Sequence, residues 1–388
     1  MPTTVTSIDG VLENAVASGA VPNVVAIAAD RNGVIYEGAV GPRAVGEPEP
    51  VTADSHFRIM SMTKIVATVA ALQLIERGEL ELDSPVSRYC PACAGLQVLE
   101  GFDGDTPRLR PPKTEPTVRH LITHTSGLGY WFFSEDLMRW EATTGTPNVL
   151  SGENAIFAAP MVADPGTRFE YGINIDWLGK VIEAVAGKTL DEVIAEGITG
   201  PLGMDETAFV MTDAQRARCV PVHVKGEDGV WAATDIDLRQ DPEYWAGGHG
   251  LHSTPRDYLK FQRMLLGDGT SPEGVQILSK ETVDAAFTNQ IGDLDFPAEI
   301  PSADQASSRD VNLGPGLKWG YGLLLNSEDA PGMRRAWSGS WAGLCNTHFW
   351  VDRTTGITGA IYTQFLPFVE PEALQMYVDF EAALYASL

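Results

Sequence analysis

Strand-like sequence sits at the two ends of this 388-residue chain, with helical sequence between them. Near the start, Asn23–Ala29 and Gly33–Ala39 are joined by Asp30-Arg31-Asn32-Gly33, whose Asn-Gly step is a hairpin signal. Strand signals return at Gly320–Leu325, Thr347–Val351 and Gly356–Tyr362. The intervening apolar patterns are helical, at Val118–Thr123, Trp177–Val185, Leu190–Ile198, Pro255–Leu266 and Lys280–Phe287. Ile8 to Val16 shows a helical face, Phe57 to Leu80 is a long apolar stretch, and Pro371 to Ala386 closes the chain as a helix. This order predicts an α+β fold: a mainly antiparallel sheet flanked by helices, built from both termini, with a helical domain inserted. The expected division is 1–85 with 316–388 for the sheet domain and 86–315 for the mostly helical one.

Composition narrows the function. Apolar residues make up 44% and charged residues 20%, enough to bury a sizeable core. The formal net charge is −25, from 52 acidic against 27 basic residues, so the chain repels phosphate backbones and anionic membranes. No nucleic-acid or membrane partner is expected. The start, MPTTVTSIDGVLENAVASG, lacks a basic opening and an apolar core, and Val24–Ala29 is too short to span a bilayer. A cytoplasmic location is the resulting expectation. Cys90-Pro91-Ala92-Cys93 has redox spacing without the strand–helix context that such motifs need, so it reads as a pair of loop cysteines. His120 and His124 are four apart but read as structural, and no metal or organic cofactor is implied.

The residues that remain point to a nucleophile. No serine lies in G-x-S-x-G and no phosphate loop is present. Ser61-Met62-Thr63-Lys64 is the S-x-x-K of the chain, placed where an irregular approach turns into a long helix. Three-residue spacing on a helix puts the serine oxygen and the lysine nitrogen on one face. The helix N-terminus favours an oxyanion there, and partial burial lowers the lysine pKa so that its amine can take the hydroxyl proton.

Phe57 to Lys64 resembles the active-site segment of the serine β-lactamase-like superfamily, and so do several later stretches. Thr117 to Leu128 is similar to its R-H-L-L-T-H-T-S-G-L segment, and Pro165 to Tyr171 to its P-G-x-x-F-x-Y stretch. Gly200 to Met204 and Gly247 to Thr254 match two further blocks. Trp337-Ser338-Gly339-Ser340 falls where penicillin-recognising enzymes carry K-T-G, and a tryptophan there looks most like the family VIII carboxylesterases.

The resemblance implies Ser61 as nucleophile, Lys64 as its proton partner, and Tyr171 as general base, a phenolate or near-phenolate beside the lysine ammonium. It implies an oxyanion hole from the amides of Ser61 and Ser340, with Gly339 letting its strand approach closely, and an active site between the two domains. Relatives reading Y-x-N carry Asn where this chain has Ile173, so Asn174, one residue later, is the candidate amide for substrate. The aromatic run Tyr130-Trp131-Phe132-Phe133 reads as an apolar wall for an acyl or alcohol group. Trp337 offers an apolar face in place of the K-T-G lysine, with Arg334 and Arg335 as candidate cations nearby. The expected activity is cleavage of carboxylic esters of short to medium acyl chains through an acyl-enzyme, acting on a small molecule. The alternatives are a β-lactamase or D-amino-acid peptidase, an acyltransferase to an alcohol, and a silent acyl-ligand-binding homologue.

Overall fold

The computed structural model describes residues 7–388. Helix α1 (Ile8–Ala17) starts at Ser7, whose Oγ accepts the Gly10 N–H at 3.1 Å. Strands β1 (Val24–Asp30) and β2 (Val34–Val40) form the expected hairpin, with Asp30 Oδ1 taking the amides of Asn32 and Gly33 in the turn. Helix α2 (Thr63–Glu76) is buried on nearly every side, as its apolar sequence requires. Two further long helices, α3 (Asn174–Ala186) and α4 (Pro255–Leu266), come from the middle of the chain. The C-terminal part supplies β3 (Leu317–Trp319), β4 (Leu324–Asn326), β5 (Gly339–Gly343), β6 (Thr347–Asp352) and β7 (Ile357–Tyr362), then α5 (Pro371–Ala386).

The strands make one sheet in the order β3-β4-β5-β6-β7-β1-β2, antiparallel throughout. The two ends of the sequence therefore meet at the β7–β1 pair, where Ile27 lies opposite Ala360. Strand β1 separates two cores by alternation. Val24, Ala26 and Ala28 pack with Leu12 of α1 and Phe380 of α5, while Val25, Ile27 and Ala29 face the larger core that contains α2, α3 and α4. Helices cover both faces, which is why β1 reads as an unbroken apolar run. Edge strand β2 is half exposed.

The fold is the α+β architecture expected, and its C-terminal strands begin at Leu317. Helix α4, from the middle segment, lies directly on the sheet, and its Gln262 Nε2 donates to Thr358 Oγ1 and Gly359 O of β7. The middle segment also carries a hairpin, Val98–Asp103 with Thr106–Arg110. No helix among the described residues is long and apolar enough to cross a membrane.

Candidate active site

The turn that presents Ser61 is built from strain and packing. A short strand, Phe57–Arg58, pairs with His252–Ser253, and one 3₁₀ turn, Met60–Met62, leads into α2. Met60 has φ +45°, a left-handed backbone that costs a side-chain-bearing residue on the order of 1 kcal/mol or more. Its side chain is buried among Val222, Leu238 and Cys345, which hold it there. Lys64, one turn later and fully buried, has three partners around Nζ: Ser61 Oγ at 3.0 Å, Tyr130 OH at 2.9 Å and Gly248 O at 2.7 Å.

Those partners come from distant parts of the chain. The segments carrying Tyr130 and Tyr171 touch through glycines: a Cβ on Gly172 would lie 2.2 Å from the Gly129 carbonyl carbon, so no other residue fits. Gly248 is held by Asp176 on the first turn of α3, whose Oδ1 accepts its N–H at 3.0 Å. A Cβ there would meet Asp176 Oδ2 at 2.4 Å. The carboxylate thus fixes the turn whose carbonyl binds Lys64. His249 Nδ1 stands 3.8 Å from Asp176 Oδ1.

Burial pushes the Lys64 ammonium well below the usual lysine range, and the Asp176 carboxylate pulls it partly back. Asp176 is itself raised by burial and lowered by Lys64 and the Gly248 amide. Burial holds His249 at about 3 and His124 well below its usual value, so both imidazoles are neutral. The tyrosines go the other way. Burial raises Tyr130 and Tyr171, although hydrogen bonds from Ser61 and Trp341 to the Tyr171 oxygen oppose the rise. This field runs against the expected Tyr171 phenolate and favours a neutral amine on Lys64. Such an amine has two N–H groups and one lone pair. Gly248 O can only accept, so it takes one N–H; the other N–H and the lone pair are left for Tyr130 and Ser61, and the Ser61 hydroxyl must turn from Tyr171 to Nζ to give up its proton.

Ser61, Tyr171 and Ser340 border one cavity of about 430 Å³, with Phe132, Phe133 and Trp341 among its apolar walls. A wider open groove of about 750 Å³ between α1 and α5 holds none of the motif residues. Several expected substrate contacts lie elsewhere. Asn174 is fully buried, with Nδ2 donating to Leu128 O and Glu170 O beside His124 Nδ1 at 2.9 Å and with Oδ1 taking the Ser126 hydroxyl, so its amide is spent on the fold. Tyr130 is not a wall but a partner of Lys64. Trp131 faces a separate crevice with Leu137 and Trp140, while Phe133 reaches the cavity. Trp337 has φ +63°, is 45% exposed and stays outside the cavity lining. Trp341, four residues on, is the tryptophan at the site, its Nε1 donating to Tyr171 OH at 3.1 Å. The space left by Gly339 is closed by Leu323 and Phe287, where a Cβ would meet side chains at 2.8 Å, so this glycine serves packing against the larger core on the face it shares with Trp341. Arg335 pairs with Asp329, and Arg334 with Glu381.

Sequence reasoning missed Asp176, Gly248 and Trp341. Alternation gave a signal for the last: Trp341 shares the strand face of Gly339, two residues before it. Asp176 carried none, since its partner is 72 residues away.

The chain is 31% identical to monacolin J acid methylbutanoyltransferase of Aspergillus terreus, over 96% of this chain and 93% of the relative. It is 31% identical to lovastatin esterase of Penicillium rubens, over 90% of each. Among solved structures, a simvastatin synthase mutant from Aspergillus terreus superposes with a TM-score of 0.84 at 30% identity, covering 98% of this chain and 94% of that one. The hydrolase EstCE1 shares the fold with a TM-score of 0.76 at 22% identity, over 97% of both. The family model described as Beta-lactamase matches residues 8–384, and the chain belongs to that family, within the serine β-lactamase-like superfamily.

Proposed function

We propose that this protein moves the acyl group of a carboxylic ester onto Ser61 and then to water or an alcohol. One observation carries the reading: Ser61 Oγ lies 3.0 Å from a buried, depressed Lys64 amine at the border of an apolar cavity. The Ser61 proton passes to Lys64 Nζ as Oγ attacks the ester carbonyl. The amides of Ser61 and Ser340 take the oxyanion. Asp176 stabilises the ammonium as it forms. As the C–O bond breaks, Tyr171 gives its proton to the departing alkoxide and is reprotonated by Lys64. Deacylation runs the same path in reverse, with water or an alcohol as the new nucleophile.

A neutral ester suits this cavity better than a β-lactam carboxylate. Arg334 is the cation among the described lining residues, and Glu381 already neutralises it. The relatives named as a methylbutanoyltransferase and an esterase support the same first half-reaction with different acceptors. The transferase reading has one further support in the apolar walls, which disfavour water near the acyl group.

The test compares kcat/KM for p-nitrophenyl butyrate and a chromogenic cephalosporin, then adds a primary alcohol to the ester reaction. The ester should be the far better substrate, with part of the acyl group appearing as the new ester. Equal or better efficiency on the cephalosporin would overturn the reading.

A further inference from the structure

The wall of the cavity formed by α5 is polar where the rest is not. Arg334 Nε donates to Glu381 Oε1 at 2.8 Å, and its Nη2 donates to Glu381 Oε2 and to Tyr377 OH. The guanidinium lies over the rings of Trp350 and Tyr377. His348, 6% exposed, stacks against Tyr377 with centroids 4.7 Å apart and against Phe368 at 5.9 Å. Among the described residues, Arg334 Nη1 and both ring nitrogens of His348 have no hydrogen-bond partner. All of them belong to side chains that line the cavity.

We propose that Arg334 and His348 form a subsite for a neutral oxygen function, a ketone, ester or hydroxyl, on an otherwise apolar substrate. This rests on the acyl-transfer reading of Ser61. The charge argument selects the class. Arg334 and Glu381 cancel, and His348 is neutral because burial, helped by the Arg334 charge, holds it at about 3. A carboxylate would be set against Glu381 and an ammonium against Arg334, whereas a neutral oxygen meets Nη1 and an imidazole nitrogen without either repulsion. Both groups are locked before anything binds, His348 by its stack and Arg334 by Glu381, so binding orders little.

Strand geometry places the subsite. Ser340 borders the cavity beside Ser61; Ala342 lies two residues further along β5 and directly opposite His348 on β6. Two residues of strand and one strand spacing put the His348 backbone roughly 8 Å from that of Ser340, so the subsite lies a medium-length chain away from the reacting carbonyl. A medium-length chain reaches it and a butyrate does not.

The experiment uses two series of esters. One is p-nitrophenyl octanoate, plain, with a ketone one carbon from its end, or ending in a carboxylate; the other is the matching set of acetates of octanol. The wild-type protein should favour the keto ester over the plain one by about five- to ten-fold in kcat/KM in one series, the worth of one neutral hydrogen bond. It should disfavour the carboxylate ester. His348→Phe keeps the stack and removes the ring nitrogens, so the keto-to-plain ratio within that variant should fall by several-fold, leaving what Arg334 Nη1 alone supplies. Each ratio is internal to one protein, so a general loss of activity cancels. No keto preference in either series, a preference for the carboxylate, or an undiminished ratio in His348→Phe would overturn the subsite. Failure of the Ser61 reading would look different: Ser61→Ala would go on cleaving every ester.

Discussion

Two buried cation–carboxylate systems serve one cavity, and they behave oppositely. Arg334 grips Glu381 directly through Nε and Nη2, and its charge is held far above the range in which it could be lost. Lys64 does not touch Asp176; the two meet through Gly248, whose N–H goes to the carboxylate and whose carbonyl goes to the ammonium. Burial is complete at Lys64 and at Asp176, yet burial alone does not make a base. A guanidinium in direct, forked contact keeps its proton, whereas an amine held one residue away from its counter-charge can give its proton up. Residue chemistry comes first, since a guanidinium keeps its proton in any contact; the indirect contact with Asp176 then leaves the Lys64 amine free to lose its own.

The sharpest way to break this contrast is to make the first system like the second. Lys64→Arg keeps a positive charge beside Ser61 and removes the ability to lose it. In the proposed reaction it should cost about 10⁴-fold in kcat/KM for p-nitrophenyl butyrate, the upper end for a positioned proton-transfer group. A loss of under ten-fold would mean that charge, not basicity, is what Lys64 supplies. Tyr171→Phe should cost about 10²–10³-fold, mostly in kcat, and the double variant Lys64→Ala/Tyr171→Phe should fall short of the summed losses because both act on one proton path.

The second system is tested through stability. Glu381→Ala strands the buried Arg334 charge and should cost about 3–5 kcal/mol in denaturant unfolding. Asp176→Ala should cost less at neutral pH, because Lys64 can shed its proton. Equal costs would mean that both carboxylates hold their cations in the same way.

The smallest effect is a shift in pH dependence. Asp176→Asn keeps an oxygen for the Gly248 amide and removes the charge that raises Lys64. The sign follows: Lys64 then loses its proton at lower pH, so the acid limb of kcat/KM moves down while the plateau falls modestly. The groups facing Lys64 — Tyr130, Tyr171, His124 and His249 — stay neutral across that range. An acid limb that does not move would show that Asp176 acts by shape alone.

Much of this was legible from local pattern. The S-x-x-K spacing predicts the Ser61–Lys64 contact because three residues of helix set it. The helices Pro255–Leu266 and Pro371–Ala386 follow from apolar periodicity with proline at their first turns. Strand β5 was not readable, since Gly339-Ser340-Trp341-Ala342-Gly343 has no β-branched residue and forms through its neighbours. Motif position misassigned the tryptophan, because the left-handed backbone at Trp337 turns that residue outward and leaves the inner place to Trp341. Asn174 was misread because hydrogen-bond saturation is a property of the folded neighbourhood. The Asp176–Gly248 link and the Arg334–Glu381 pair join segments far apart in the chain, which no window of sequence contains.

The central claim is that Ser61 carries the acyl group, and peptide mass spectrometry of the quenched enzyme tests it most directly. The protein is mixed with p-nitrophenyl butyrate, quenched in acid within the first turnovers, and digested. The account predicts a single butyryl adduct on the peptide holding Ser61, lost with time and absent from Ser61→Ala, which should also have lost turnover. An adduct on another residue, or a Ser61→Ala protein that keeps most of its esterase activity, would contradict it.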